Sequence, residues 1–161
     1  MDEGYGLDDL KKDYEEIKEK HDLPSFEELN KDFSIDQLTE HETDYLLREI
    51  RRAIADKIST YMRFVETILN PVNAPIFVFS LIKTINSEEK TKLSEVYKKL
   101  AKFEVRIIEL DVDFSEKKEA DFVKEAYEEW QEMKKDLLDV VEVIKKNWDN
   151  KFESGARGYF G

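Results

Sequence analysis

Three stretches of the chain repeat a large apolar residue every three or four positions, and no other feature limits the possible fold so tightly. Leu47, Ile50, Ile54, Ile58, Tyr61, Val65 and Ile68 form the first series. Leu93, Val96, Leu100, Phe103, Ile107 and Leu110 form the second, and Val123, Ala126, Trp130, Met133, Leu137, Val140 and Ile144 the third. A helix turns once in about 3.6 residues, so each series is one apolar stripe along a helix, whereas a strand would alternate by two. Steps of three and four alternate strictly in the second and third series, which is the spacing of heptad-like seams. Helices of this kind, joined by short turns, pack antiparallel about a shared seam. The sequence therefore predicts an all-α fold, an antiparallel helical bundle with three long heptad-like helices over about residues 40–69, 87–110 and 115–152.

The helix ends are marked as well. Thr39 with Glu42 reads as a capping box, Ser87 as the cap of the second helix, and Asp113 or Ser115 as the cap of the third. Asn70-Pro71 stops the first helix, because proline cannot continue the hydrogen-bond ladder. Five glycines and three prolines beside a 40% charged fraction suit long helices with few turns.

Between the first two helices lies PVNAPIFVFSLIKTI, residues 71–85. Its β-branched and aromatic content would suit a strand. Asn73 as an N-cap, Pro75 in a first turn and the lack of any second strand-like segment point instead to a helix of about 12 residues. Apolar on nearly every side, it is expected to be a short central helix surrounded by the three long ones. A partly exposed groove or a partner interface is the other way to account for it.

Charge divides the chain unevenly. Residues 1–44 hold 16 acids and 5 lysines, a net of -11 in a chain of -12. Within this acidic helical arm, Leu7, Leu10, Tyr14, Ile17 and His21 form a narrow stripe. After Pro24, the Ser25–Glu28 capping box opens a second short helix with Phe26, Leu29 and Phe33 inward. Helices this short are marginal alone, so the arm must dock. The expected organisation is an acidic arm over 1–38, a bundle over 39–153 and a flexible, glycine-containing tail over 154–161.

Catalytic signatures are missing from the sequence. Without cysteine there is no thiolate nucleophile, Cys-ligated zinc or iron–sulfur cluster. A four-helix di-metal site needs Glu-x-x-His, but Lys18 and Leu38 stand three residues before His21 and His41. Asp111 to Phe122 opens like a calcium loop, yet Glu116 replaces the turn glycine and Phe122 the closing glutamate. There is no glycine-rich phosphate loop or serine elbow. No cofactor and no metal are expected, and the protein is expected not to be an enzyme. The longest apolar run falls short of the roughly 18 to 20 residues that cross a bilayer, and the acidic opening MDEGYGLDDL has no leader pattern. A cytoplasmic protein without membrane contact is expected.

Two features suggest contact with partners. From Arg48 to Arg63 one helix carries five basic residues against two acids, with Arg48, Arg51 and Arg52 close enough to grip a phosphate and Arg63 further on. The arm, or a second copy, or a partner, is expected to lie over this face with strong salt dependence. On the last helix Trp148 stands 18 residues after Trp130, and Trp148 and Phe152 are expected to project beyond neighbouring helices as an anchor for another chain. The functional expectation is a protein-interaction or scaffolding bundle that binds a protein partner or a second copy through Arg48, Arg51, Arg52, Arg63, Trp148 and Phe152. A nucleic-acid or phosphate binder acting through the arginine helix is one alternative, disfavoured by the overall charge. A metal-dependent enzyme lined by acids such as Glu49, Glu66, Glu104 or Glu109 is the other.

Overall fold

A computed structural model describes the backbone of residues 4–40 and 43–159 and the side chains of 4–39 and 43–150. His41 and Glu42, and with them the Thr39 capping box, lie outside the described residues. The helices are α1 (Leu7–His21), α2 (Phe26–Phe33), a 3-10 helix (Ile35–Glu40), α3 (Leu46–Leu69), α4 (Ile76–Ile82), α5 (Ser87–Val112) and α6 (Glu116–Tyr159). No strand occurs among the described residues. The chain is an all-α helical bundle, as the three- and four-residue spacing predicts. No helix among the described residues is long and apolar enough to cross a membrane.

Local chemistry sets the ends. The Ser25 hydroxyl accepts from the Glu28 amide at 3.2 Å while the Glu28 carboxylate accepts from the Ser25 amide at 2.9 Å, the reciprocal pair that the sequence predicts. α1 and α2 end on Asp22 and Ser34, both left-handed at φ 53°, a conformation that lets the cap amide turn back onto the last turn. Asn86 caps α5 in place of Ser87: its side-chain oxygen accepts from the Glu88 and Glu89 amides, and the Glu89 carboxylate accepts from the Asn86 amide. Ser115 caps α6, accepting from the Lys118 amide at 3.4 Å. α6 continues as helix through Tyr159, so residues 154–159 of the expected tail have helical backbone. Gly155 and Gly158 weaken a helix by about 1 kcal/mol each but, unlike proline, do not block it.

The chain divides into two compact units, and α3, α5 and α6 each contribute to both. The first unit comprises the chain up to Ser59 together with Lys102–Trp130. In it α3 and α5 run antiparallel, with Arg51 against Asp111 and Ser59 donating to Glu104. α3 and α6 run the same way, with Arg51 against Glu119 and Lys57 over the Trp130 ring. The second unit comprises Thr60–Ala101 and the chain from Gln131 onward. There α5 and α6 are antiparallel, with Lys92 3.4 Å from Asp139, and the Asn147 amide donates at 2.6 Å to the carbonyl of Thr84 in the turn before α5. All the seam residues are buried except Tyr61, Ile107 and Ile144, which are half-buried.

The surrounded central helix is the expectation that fails. α4 is only seven residues long, and Leu81 is its one buried residue. Ile76 is 86% exposed, Phe77 61% and Phe79 44%. Asn73 is no cap but a left-handed turn residue at φ 60°, and Pro75 directly precedes the helix. The long helices close their stripes on one another, so none is left for α4 to fill. A segment apolar all round carries no instruction as to which side turns inward.

The arm docks in cis within the first unit, chiefly through its apolar side chains. α1, α2 and the 3-10 helix pack on one another, with Tyr14 edge-on to Phe26 at 5.7 Å. Phe33 meets Trp130 at 6.1 Å, and Lys57 of α3 donates to the Asp32 carbonyl while lying over both rings. The Tyr14 hydroxyl donates to the Pro24 carbonyl, and burial raises its pKa far above that of a free phenol. Leu10, Tyr14, Leu23, Phe26, Leu29, Phe33 and Ile35 are all buried. Each such side chain is worth about 1.5–3 kcal/mol, against about 0–1 kcal/mol for an exposed ion pair such as Lys20 with Glu116. Salt should therefore matter little to the arm, contrary to the expectation from its charge. Hydrogen-exchange protection of α1 and α2 amides should stay within about twofold between 20 mM and 500 mM NaCl. Loss of that protection at high salt would show that charge, not apolar burial, holds the arm.

Candidate functional site

Arg51 lies in the α3 stripe, four residues after Leu47 and three before Ile54, and the fold keeps it there. It is 2% exposed, with Nη1 2.9 Å from Asp111 Oδ1 and Nη2 3.4 Å from Glu119 Oε1. Glu119 is the equivalent on α6, four residues before Val123 on the seam and 1% exposed. Its Oε1 also lies 3.8 Å from Arg48 Nε. Burial pushes the Glu119 carboxyl above the usual carboxylate range, and the charges of Arg51 and Arg48 offset this only in part. Arg51 Nε and Glu119 Oε2 are buried without a hydrogen-bond partner. Each orphan of this kind costs about 1–3 kcal/mol, so such atoms are uncommon in a folded interior.

Above this pair the first unit has a cleft of about 410 Å³. Arg48, half-buried, lies between two of its walls, the guanidinium 4.1 Å from the Phe114 ring centre and 5.2 Å from that of Tyr45. Phe114 comes from the turn between α5 and α6, Tyr45 from the turn before α3. Ile17 and Leu47 add apolar surface, and Asp13, Glu16, Asp44, Glu116 and Glu119 add acid. Glu116 is held by His21 Nε2 and Lys20 Nζ, each 3.1 Å from its Oε1. The His21 hydrogen bond and then that of Lys20 hold its carboxyl below the usual range. His21, placed on the apolar stripe of α1 by its spacing, thus links the arm to the first turn of α6.

The other residues singled out by sequence are dispersed. Arg52 is exposed, with Nη1 3.0 Å from Glu49 Oε1. Arg63 is exposed and belongs to the second unit. Arg51 is an interior residue, not the surface one its sequence context suggests. A phosphate grip by three neighbouring arginines needs open guanidinium groups, and that of Arg51 is taken by two carboxylates. Trp148 is half-buried in the second unit with its ring 5.7 Å from Phe77, and Phe152 lies outside the described side chains. Of the acids considered for an enzyme, Glu49 accepts from Arg52, Glu104 from Ser59 and Glu109 from Lys118, while Glu66 is exposed. Among the described residues no group of three His, Asp or Glu side chains is placed to hold a metal ion. The stretch that opens like a calcium loop forms ion pairs, Asp111 with Arg51 and Asp113 with Lys118.

Tyr45, Phe114 and Glu119 were missed from sequence. For Glu119 a signal existed, since an acid four residues before Val123 occupies a seam position. Tyr45 and Phe114 lie in turns, where spacing gives no information.

The pair makes a pH-dependent prediction. Because the folded pKa of Glu119 is raised, its contribution to stability is fully present below its unfolded value of about 4.3 and is lost as pH rises through the folded value. Glu119→Gln removes that loss, so in urea unfolding the variant should gain on the wild type between pH 4.5 and 7.5. Arg51→Met leaves Glu119 without its main partner and should cost about 3–5 kcal/mol at pH 7.5, and less at pH 5, since removing the cation favours the neutral carboxyl. An equal loss at both pH values would mean that the Glu119 charge is not what Arg51 balances. The sequence matches no protein-family model, and neither a curated protein nor a solved structure matches the chain, so function has to be argued from these sites.

Proposed function

We propose that the protein is a non-enzymatic interaction bundle that associates with a second copy of itself through α4. The observation that carries this is the exposure of Ile76, Phe77 and Phe79 on a helix with a single buried residue. Apolar surface of this kind marks interaction sites on folded proteins, since each such side chain gains about 1.5–3 kcal/mol when covered. Val72, 72% exposed, adds to it from the turn before the helix. Phe77 leans on Trp148, an aromatic of the type favoured in interface anchors.

Charge favours a second copy as the occupant. Residues 70–86 carry one charge, Lys83, in a chain that is 40% charged with a net of -12. Two copies meeting at α4 bring almost no like charge together, whereas the acidic faces elsewhere would repel. A two-fold contact would place the same patch of each copy on the other.

Sedimentation equilibrium at two concentrations tests this. The mass should rise from 19.1 kDa toward twice that value as concentration increases. Val72→Glu combined with Ile76→Glu should keep the chain monomeric without altering its helical circular dichroism, because both side chains are already in water. A wild-type chain of 19.1 kDa at every concentration, or a dimer indifferent to the two substitutions, would overturn the proposal.

A further inference from the structure

The cleft in the first unit has more acid than the fold uses. Arg48 and Arg51 answer Glu119, and Lys20 and His21 answer Glu116. Asp13, Glu16 and Asp44 remain, and among the described residues none of the three has an ion pair. The Tyr5 hydroxyl donates to Asp13 at 2.7 Å, a neutral contact that leaves the charge in place. Beneath them Glu119 Oε2 is buried and lacks a donor. A surplus of negative charge around a concave site concentrates cations there.

We propose that this cleft binds an aliphatic polyammonium group, meaning two or more primary ammonium groups carried on a methylene stem. Each part of the lining corresponds to a part of such a ligand. The ammonium groups answer Asp13, Glu16 and Asp44, and one directed inward supplies the donor that Glu119 Oε2 lacks. The methylene stem lies on Ile17 and Leu47, in the way that a lysine stem covers apolar surface while its head stays polar. Arg48 between Tyr45 and Phe114 demonstrates that a cation is accommodated against these rings. The volume of about 410 Å³ is in the range of small-ligand sites. An anion would meet five carboxylates and one arginine. A compact metal ion would need three ligands to converge, which none of the described acids do. A water molecule would satisfy Glu119 Oε2 and leave the three outer acids as they are.

The same chemistry is offered by a free polyamine and by adjacent lysines in a partner's basic segment, and one titration separates them. Calorimetry on the full chain would use spermidine, a blocked trilysine peptide and, at matched ionic strength, magnesium chloride. Spermidine, trilysine or both should bind saturably at one per chain, and the tighter of the two identifies the source. Glu16→Gln with Asp44→Asn, both exposed and outside the core, should weaken that binding about three- to tenfold, the effect of losing two exposed ion pairs. Glu95→Gln with Glu142→Gln, which remove two exposed acids of the second unit, should leave it unchanged. Heats no greater than those of magnesium would overturn the proposal. Equal weakening by the two double variants would overturn it too, since the acids would then act as a diffuse field and not as a site.

Discussion

Withdrawal of one stripe of each long helix from water is the constraint on which the rest of the structure depends. In the first unit it brings Ile50, Ile54 and Ile58 together with Phe103, Phe122 and Val123. In the second it does the same for Val65, Leu93, Leu100, Met133 and Val140. Once those stripes are closed, every other segment must settle on what they leave. The arm finds a place because it brings its own apolar side chains. α4 arrives with apolar surface on all sides and finds only enough room for Leu81.

The same constraint explains the buried ion pair. A seam position is taken out of water whatever residue occupies it, and on α3 and α6 two of these positions are Arg51 and Glu119. Their mutual attraction, with Asp111 as a third member, offsets the cost of dehydrating them, yet one atom of each is left without a partner. In other proteins such pairs have been replaced by apolar residues with a gain in stability, so burial of this pair is weak evidence that it stabilises the fold. The pair also fixes the floor of the cleft, and with it the position of Arg48 between two rings.

Much of the fold was legible because helical periodicity is a property of the chain itself. The three seams, the Ser25 cap and the stop at Asn70-Pro71 follow from spacing and side-chain chemistry, and the structure agrees with them. Position in space is different. Arg51 and Glu119 could have been flagged as charges on seam positions, but their pairing across 68 residues depends on how helices meet. Arginines four and fifteen residues beyond Arg48 look like one face on paper, whereas Arg52 pairs locally and Arg63 belongs to another unit. The charge of the arm was a poor guide to its docking, because acids at the surface cost little where they stand and apolar side chains gain much when covered. The exposure of α4 was not legible at all: a sequence with no polar face gives no direction.

Two turns of helix held by one buried leucine and by the Phe77–Trp148 ring contact belong to the part of a structure that opens at low free energy. Unwound, Ile76-Phe77-Val78-Phe79-Ser80 would be five uncharged residues, four of them β-branched or aromatic, with unpaired backbone and the composition of a cross-β template. Pro75 on one side denies a strand its amide donor, and Lys83 on the other adds a charge that repels its own copy in a stacked sheet. Pro75 and Lys83 thus bracket the segment with the two residue types that disfavour strand stacking.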